Sequence, residues 1–362
     1  MNTQQTRFAR NIEFRLDDIK EALPDFLASR AHMALNDDVH PVAADMVSDG
    51  ITLADIANRL SGGERGASGV ELFRALTTSD FSASLETALA HVVAVDYRRQ
   101  SAEHAQLVRT IRTPNMKPID VIDVDMGELE ATPAAGGPQR MPVVEITTGA
   151  SIAPTRFSAK FAVGRQLLIN DDVQALMTAV GQLSAHASRL EASALASVIA
   201  SNPTMPDGAP FVTTTNTTTN TGFDLTSLGE GLALMRTQTT SANNVSNTRP
   251  AFLLVPPQLL ATALVLVASM TAGNEPPLRV AVNAWLEDTT SAYLLADPAE
   301  VPAFIRTQPR FFADGPDLVR TAAIVHTETG EEQHYDGVAF TFSHAFGIGA
   351  GSRLGFVKIA GS

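Results

Sequence analysis

From Leu167 to Asn202 the sequence reads LLINDDVQALMTAVGQLSAHASRLEASALASVIASN, a stretch with no proline and a single histidine. It reads as one helix of about 30 residues, roughly 45 Å long at 1.5 Å per residue. Asn170 is placed to cap it, and Asp171 and Asp172 fall in the first turn, where negative charge suits the helix dipole. Pro203 ends it, because the residue before a proline avoids helical geometry. Val173, Leu176, Val180, Leu183, Ala187, Leu190 and Ala194 follow a 3-4 spacing and give one narrow apolar stripe. Much of the remainder is Ala and Ser, whose small side chains let other elements approach closely. The fold is therefore built around a rod, with one face for its own sheet and a smooth face for something else.

The flanking sequence divides by composition. Residues 1–112 read mainly as helices. Ile51, Leu53, Ile56 and Leu60 make one short amphipathic helix, stopped by Gly62 and Gly63. Leu85, Leu89, Val92 and Val93 share a face of another, capped at Ser79 or Asp80. After Thr113 the pattern turns to strand: Val121 and Val124 lie in one run, Val143, Val144 and Ile146 in a second. The Pro133–Pro138 segment between them reads as the tip of a long exposed hairpin. Its first limb carries Asp120, Asp123, Asp125, Glu128 and Glu130 with no basic residue among them. A two-stranded hairpin buries little and is marginal alone, so it wants a partner surface.

Residues 154–168 alternate as a strand that delivers the chain to the rod. TTTNTTTNTG (Thr213–Gly222) reads as a polar surface loop. From Phe223 to residue 320 helical and strand patterns alternate, the signature of an α/β domain. The C-terminal stretch reads as β, with a hairpin turn near Thr329 and Gly330.

Chemistry is scarce. The chain has no cysteine, which removes disulfides, thiolate metal sites and cysteine nucleophiles together. Its net charge is −13 with four lysines, against any dedicated grip on nucleic acid phosphates. The N-terminus has no apolar core and does not read as a signal peptide. The longest apolar run, Leu259–Met270, is about half the span of a membrane helix. His326, Glu328, Glu331, Glu332, His334 and Asp336 could ligate a divalent ion, but their spacing matches no metal signature and an acidic solvated turn explains them as well. The acidic limb lacks the loop pattern of a calcium site. The glycines of Gly347–Gly355 do not stand between a strand and a helix, as a phosphate-binding loop requires. His186 reads as a packed or surface histidine and Trp285 as core. No catalytic, cofactor-binding or metal residue is assigned.

The order of parts resembles the major capsid proteins of tailed bacteriophages, the Hong Kong ninety-seven type of shell fold, and several words resemble its Mu-like prophage branch. The words are TTSDF (Thr77–Phe81), LLINDD (Leu167–Asp172), SNPTMPDG (Ser201–Gly208), FLLVPPQL (Phe252–Leu259), YLLADP (Tyr293–Pro298) and FGIG (Phe346–Gly349), in family order over residues 50–360. The resemblance implies an α+β fold with these parts: an N-terminal arm and helices (1–112); an extended β-hairpin loop (113–165); a peripheral domain (166–222 and 321–362) with a spine helix at about 171–201; and an α/β axial domain (223–320).

It further implies a coat protein that self-assembles into pentamers and hexamers of an icosahedral head. Such a head encloses double-stranded DNA without sequence-specific binding, cofactor or membrane, and is assembled in the host cytoplasm. Portal, scaffold or protease and decoration proteins would be its other partners. Asp123, Asp125, Glu128, Glu130 and Arg140 are the expected assembly contacts, with Arg98, Arg99, Arg109, Arg112, Arg165 or Arg189 as basic counterparts. Lys117 lies at the base of the loop, so no covalent cross-link between subunits is expected. The first 40 residues match none of the family's parts and read as an extra arm or a scaffold-like segment. The alternatives are a cellular nanocompartment shell and a metal-dependent hydrolase built on His326–Asp336.

Overall fold

A computed structural model describes residues 15–31, 39–60, 79–126, 144–164, 170–220, 222–240, 244–270, 278–312, 315–321, 324–326, 332–334 and 337–361. The helices in chain order are α1 (Leu16–Arg30), α2 (Pro41–Ser48), α3 (Leu53–Leu60), α4 (Ser79–Ala105), α5 (Val173–Ser201), α6 (Leu225–Thr237) and α7 (Leu260–Met270). The strands are β1 (Val108–Thr113), β2 (Ile119–Met126), β3 (Val144–Ile152), β4 (Thr155–Gly164), β5 (Pro250–Val255), β6 (Arg279–Val282), β7 (Ala292–Ala296), β8 (Phe304–Pro309), β9 (Asp317–Thr321), β10 (Ile324–His326), β11 (Glu332–His334), β12 (Gly337–Ala350) and β13 (Phe356–Ile359). Helix and sheet are mixed in the way the sequence predicts. The chain forms two compact units, one from Met1–Gln100, Arg156–Ala187 and Asp314–His344, the other from Ser101–Thr155, Ser188–Ala313 and Ala345–Ser362.

The first unit is built on helix packing. Leu23, Phe26 and Leu27 of α1, Leu53 and Ile56 of α3, and Leu85, Leu89, Val92 and Val93 of α4 join Val173, Leu176 and Val180 of α5 in one buried cluster. Phe340 and Phe342 of β12 close it, and Phe161 of β4 stacks on Phe340 at 5.5 Å. The predicted stripes of α3, α4 and the start of α5 are thus the buried faces. Each of α1, α2 and α3 contributes buried residues to this core.

The rod begins later than its charges suggest. Its first residue is Val173, and Asp172 supplies the cap, its Oδ1 accepting from the Ala175 N–H at 3.1 Å. Asp171 has φ +55°, a left-handed conformation that cannot belong to a helical turn. Its carboxylate accepts instead from Arg30 Nη2 at 2.5 Å and from the Leu53 N–H at 2.8 Å. The other end is as predicted: Ser201 is the last helical residue and Asn202 takes φ +43°. Beyond Ala187 the buried face turns, so that Glu191, Leu195 and Ala196 are buried while Leu190 and Ala194 are half-buried. A strict 3-4 repeat drifts about 20° per heptad on a 3.6-residue helix, which accounts for the slip.

The second unit centres on a four-stranded sheet, β13-β7-β5-β6, parallel between β5 and β6 and antiparallel elsewhere. Both faces are covered. Phe252 and Leu254 of β5 meet Leu295, Phe304, Phe356 and the α5 residues Leu195 and Ile199; Leu253 and Val255 meet Leu228 and Met235 of α6 and Ala263 of α7. A strand buried on both faces reads as an unbroken apolar run, as FLLV does. The C-terminal strand β13, predicted within the 321–362 segment, pairs with β7 here. Val108–Thr113, predicted within the helical N-terminal stretch, is strand β1, parallel to β8 with Val108 opposite Phe304.

Thr214, Thr215, Thr219 and Asn220 are exposed, as expected of a polar surface loop, but two residues of the segment turn inward. Asn216 and Thr218 are only 2% and 5% exposed. Asn216 donates to Phe211 O at 3.0 Å and accepts from the Thr213 N–H at 2.7 Å. Thr218 donates its N–H to Lys358 O at 2.9 Å, and its hydroxyl accepts from the Ala360 N–H at 3.0 Å. Composition reports that the segment is polar; it does not report that its partners lie inside the protein.

Candidate functional site

Of the assembly contacts expected from sequence, Asp123 and Asp125 lie on β2, which pairs with β3. Asp123 stands opposite Thr147, and Asp125 opposite Glu145. Ile122, Val124 and Met126 stand opposite Thr148, Ile146 and Val144. Glu128, Glu130, Arg140 and the tip at Pro133–Pro138 lie outside the described residues. Of the basic counterparts, Arg99 pairs with Asp96 at 2.6 Å and Arg98 donates to Ala94 O at 3.2 Å. Arg109 and Arg189 are exposed, and Arg165 is outside the described residues.

On the first unit, Phe161, Ala175, Thr178, Ala179, Gln182 and Leu183 line a shallow groove along α5. Asp172 and Gln174 also line it, so one carboxylate stands beside the small and amide side chains of this face. Gly351 and Gly355, in the glycine-rich stretch, have a packing reason. A Cβ on Gly351 would collide with Pro302 O, and one on Gly355 with Val301 O, so both positions exist for close backbone approach.

Two ionic arrangements of the second unit are not legible as spacing. Glu191 is fully buried; its Oε2 accepts from Arg306 Nη1 at 2.8 Å and lies 3.0 Å from His104 Nε2. The Arg306 Nε also donates to Thr110 Oγ1 at 3.1 Å, so one cluster ties α4, α5, β1 and β8. Arg353 grips the SNPTMPDG segment, forking onto the Asp207 carboxylate and donating to Ala209 O at 2.7 Å and Pro210 O at 2.9 Å. The hydrogen bond from Arg353 holds the Asp207 carboxyl below its ordinary range. Asn202 completes the segment by bonding both backbone groups of Val212.

The remaining candidates are quickly placed. Trp285 is 43% exposed and is not core: the chain turns out after Asn283, and Leu286 takes the buried position instead. His186 is exposed on α5. His326 stands opposite Glu332 and His334 opposite Ile324; Glu328, Glu331 and Asp336 lie outside the described residues. Among the described residues no group of three or more His, Cys, Asp or Glu is placed to hold a metal ion, and no helix is long and apolar enough to cross a membrane.

A family model described as phage capsid protein matches residues 148–359, more than half of the chain. No curated protein matches. Among solved structures, the chain is similar to one from Microbacterium phage Oxtober96, with 12% identity, a TM-score of 0.46, and coverage of 72% of this chain and 91% of that one. It is similar to a chain of the capsid of native GTA particle computed with C5 symmetry, with 14% identity, a TM-score of 0.45, and coverage of 72% and 90%. It is also similar to a chain of a virus-like particle from Pyrococcus furiosus, with 18% identity, a TM-score of 0.39, and coverage of 76% and 99%.

Proposed function

The chain belongs to the phage capsid protein family, and from that premise we propose that it is the major head subunit of a tailed phage, closing an icosahedral shell around double-stranded DNA. The observation that carries this reading is the family match over 148–359, a span that includes α5 and every strand of the four-stranded sheet. The shell fold is of the Hong Kong ninety-seven type, and the branch is the Mu-like one. Residues 113–165 act as the extended loop, α5 as the spine, and the β13-β7-β5-β6 sheet as the axial part. The protein works by tiling with copies of itself in the host cytoplasm and catalyses nothing; portal, scaffold or protease, and decoration proteins are its further partners.

The physical properties suit that task. A shell multiplies a modest contact, near 25 cal/mol per Å² of apolar area, around a closed surface, so no single interface has to be strong. The acidic limb that carries Asp123, Asp125, Glu128 and Glu130 is matched by basic residues of an adjacent subunit. DNA driven into the shell has to slide, and a chain of net charge −13 does not hold phosphates through counterion release.

Negative-stain microscopy of the expressed full chain tests the proposal. Polyhedral shells, tubes or capsomer rings are the expected products. A monodisperse monomer at high concentration refutes it, and shells that carry a protein cargo in place of nucleic acid would redirect it to a cellular compartment.

A further inference from the structure

In the second unit the described residues expose two aromatic side chains, Trp285 at 43% and Phe311 at 73%. Each is mounted on a pinned turn. Asn283 donates to Ala192 O at 2.8 Å and accepts from the Trp285 N–H at 2.9 Å, while Leu286 is buried beyond it. Phe311 lies in the 3-10 turn Arg310–Phe312, whose last residue is buried and whose Phe312 carbonyl accepts from Gln308 Nε2 at 2.5 Å. Beside each aromatic stands an exposed charge: Glu287 two residues after Trp285, and Arg310 just before Phe311. Neither charge has a hydrogen-bond or ion-pair partner among the described residues, so the two do not meet within one chain.

We propose that Phe311 and Arg310 of one copy dock on Trp285 and Glu287 of the next, a head-to-tail contact repeated around a ring. The inference rests on the reading of this chain as a self-assembling shell subunit. Trp, Phe and Arg are the residue types enriched at interface cores, with Trp and Arg prominent among the few that carry most of the energy, and side chains held on rigid turns lose less freedom on docking. Copies of a chain with net charge −13 repel one another, so the contact favours surfaces that are neutral or of opposite sign. A second copy is the molecule that offers both halves. The planar Arg310 guanidinium can lie over the indole face while it pairs with the Glu287 carboxylate. A contact between two different patches of the same chain propagates in one direction and closes into rings when the rotation permits.

The test uses the full chain, with sedimentation velocity and negative-stain microscopy as readouts. Phe311→Ala removes a largely exposed group and should leave the melting temperature unchanged, and Trp285→Ala, whose side chain is partly buried, is compared at temperatures where it is fully folded. Each should raise the concentration needed for assembly by about tenfold or more. Arg310→Glu alone and Glu287→Arg alone should each weaken assembly, and the double reversal should restore it. Assembly of all these variants at the wild-type concentration overturns the contact and leaves the capsid reading standing. Weakened single variants without rescue by the double reversal overturn the pairing of these two patches. A wild-type chain that never associates overturns both proposals.

Discussion

Asp171 is the joint between the N-terminal helices and the rod, and its replacement has a calculable outcome. Three effects meet at this residue: the bond to the Leu53 N–H at the start of α3, the ion pair with Arg30, and the left-handed backbone. A hydrogen bond to a charged group contributes about 1.5–3 kcal/mol. The Arg30 side chain is 28% exposed, so its share lies at the lower end. Alanine in the left-handed region costs about 1 kcal/mol more than a residue that tolerates it. Asp171→Ala should therefore lose about 4 kcal/mol. Asp171→Gly loses the same bonds without the backbone penalty, so it should lie about 1 kcal/mol above Ala. Asp171→Asn keeps an acceptor and tolerates the conformation, and should lose about 1 kcal/mol. Hydrogen exchange of the α1 and α3 amides reads the opening of this part directly. Equal protection in the Gly and Ala variants would refute the backbone contribution. Unchanged protection of α3 in the Ala variant would refute the joint itself.

Two further outcomes follow from the second unit. Arg306→Leu strands the buried Glu191 carboxylate and should cost about 3 kcal/mol, read as a shift in the urea midpoint; adding Glu191→Met should recover much of it, and a silent Arg306→Leu would contradict the burial argument. Glu230 accepts from the Thr219 hydroxyl and N–H and from the Asn220 N–H, which hold its carboxyl at about 2 against an ordinary 4.5. Its contribution is present above pH 4.5 and lost as pH falls toward 2, so the Thr219 and Asn220 amide resonances should shift in that window in the wild type and not in Glu230→Gln.

What the sequence discloses here is local. The first half of the α5 stripe and the apolar run of β5 follow from spacing that acts within a few residues. The ribbon that carries Asp123 and Asp125 is legible from its valines, but not the placement of Glu145 across from Asp125. Glu191 finds His104 and Arg306 across separations of 87 and 115 residues, and no periodicity encodes such a meeting. Asp171 misleads for a related reason: its charge suits a first helical turn, yet a distant guanidinium and a distant N–H compete for it and win. Trp285 reads as core because large aromatic side chains usually are, whereas its neighbour Leu286 fills that place.

The threonine-rich segment beside β13 has a colloidal consequence. A sheet that ends in a bare strand is a template on which another chain can stack through its main chain, without regard to sequence, and crowding copies shoulder to shoulder raises that hazard. Thr217 bridges Lys358 and Thr218 bonds its carbonyl, so the polymerising margin of the sheet is occupied from within the same molecule. At that edge a second chain finds no open ladder to extend, and association there is left to side chains, the kind of contact that can specify a curved surface and stop.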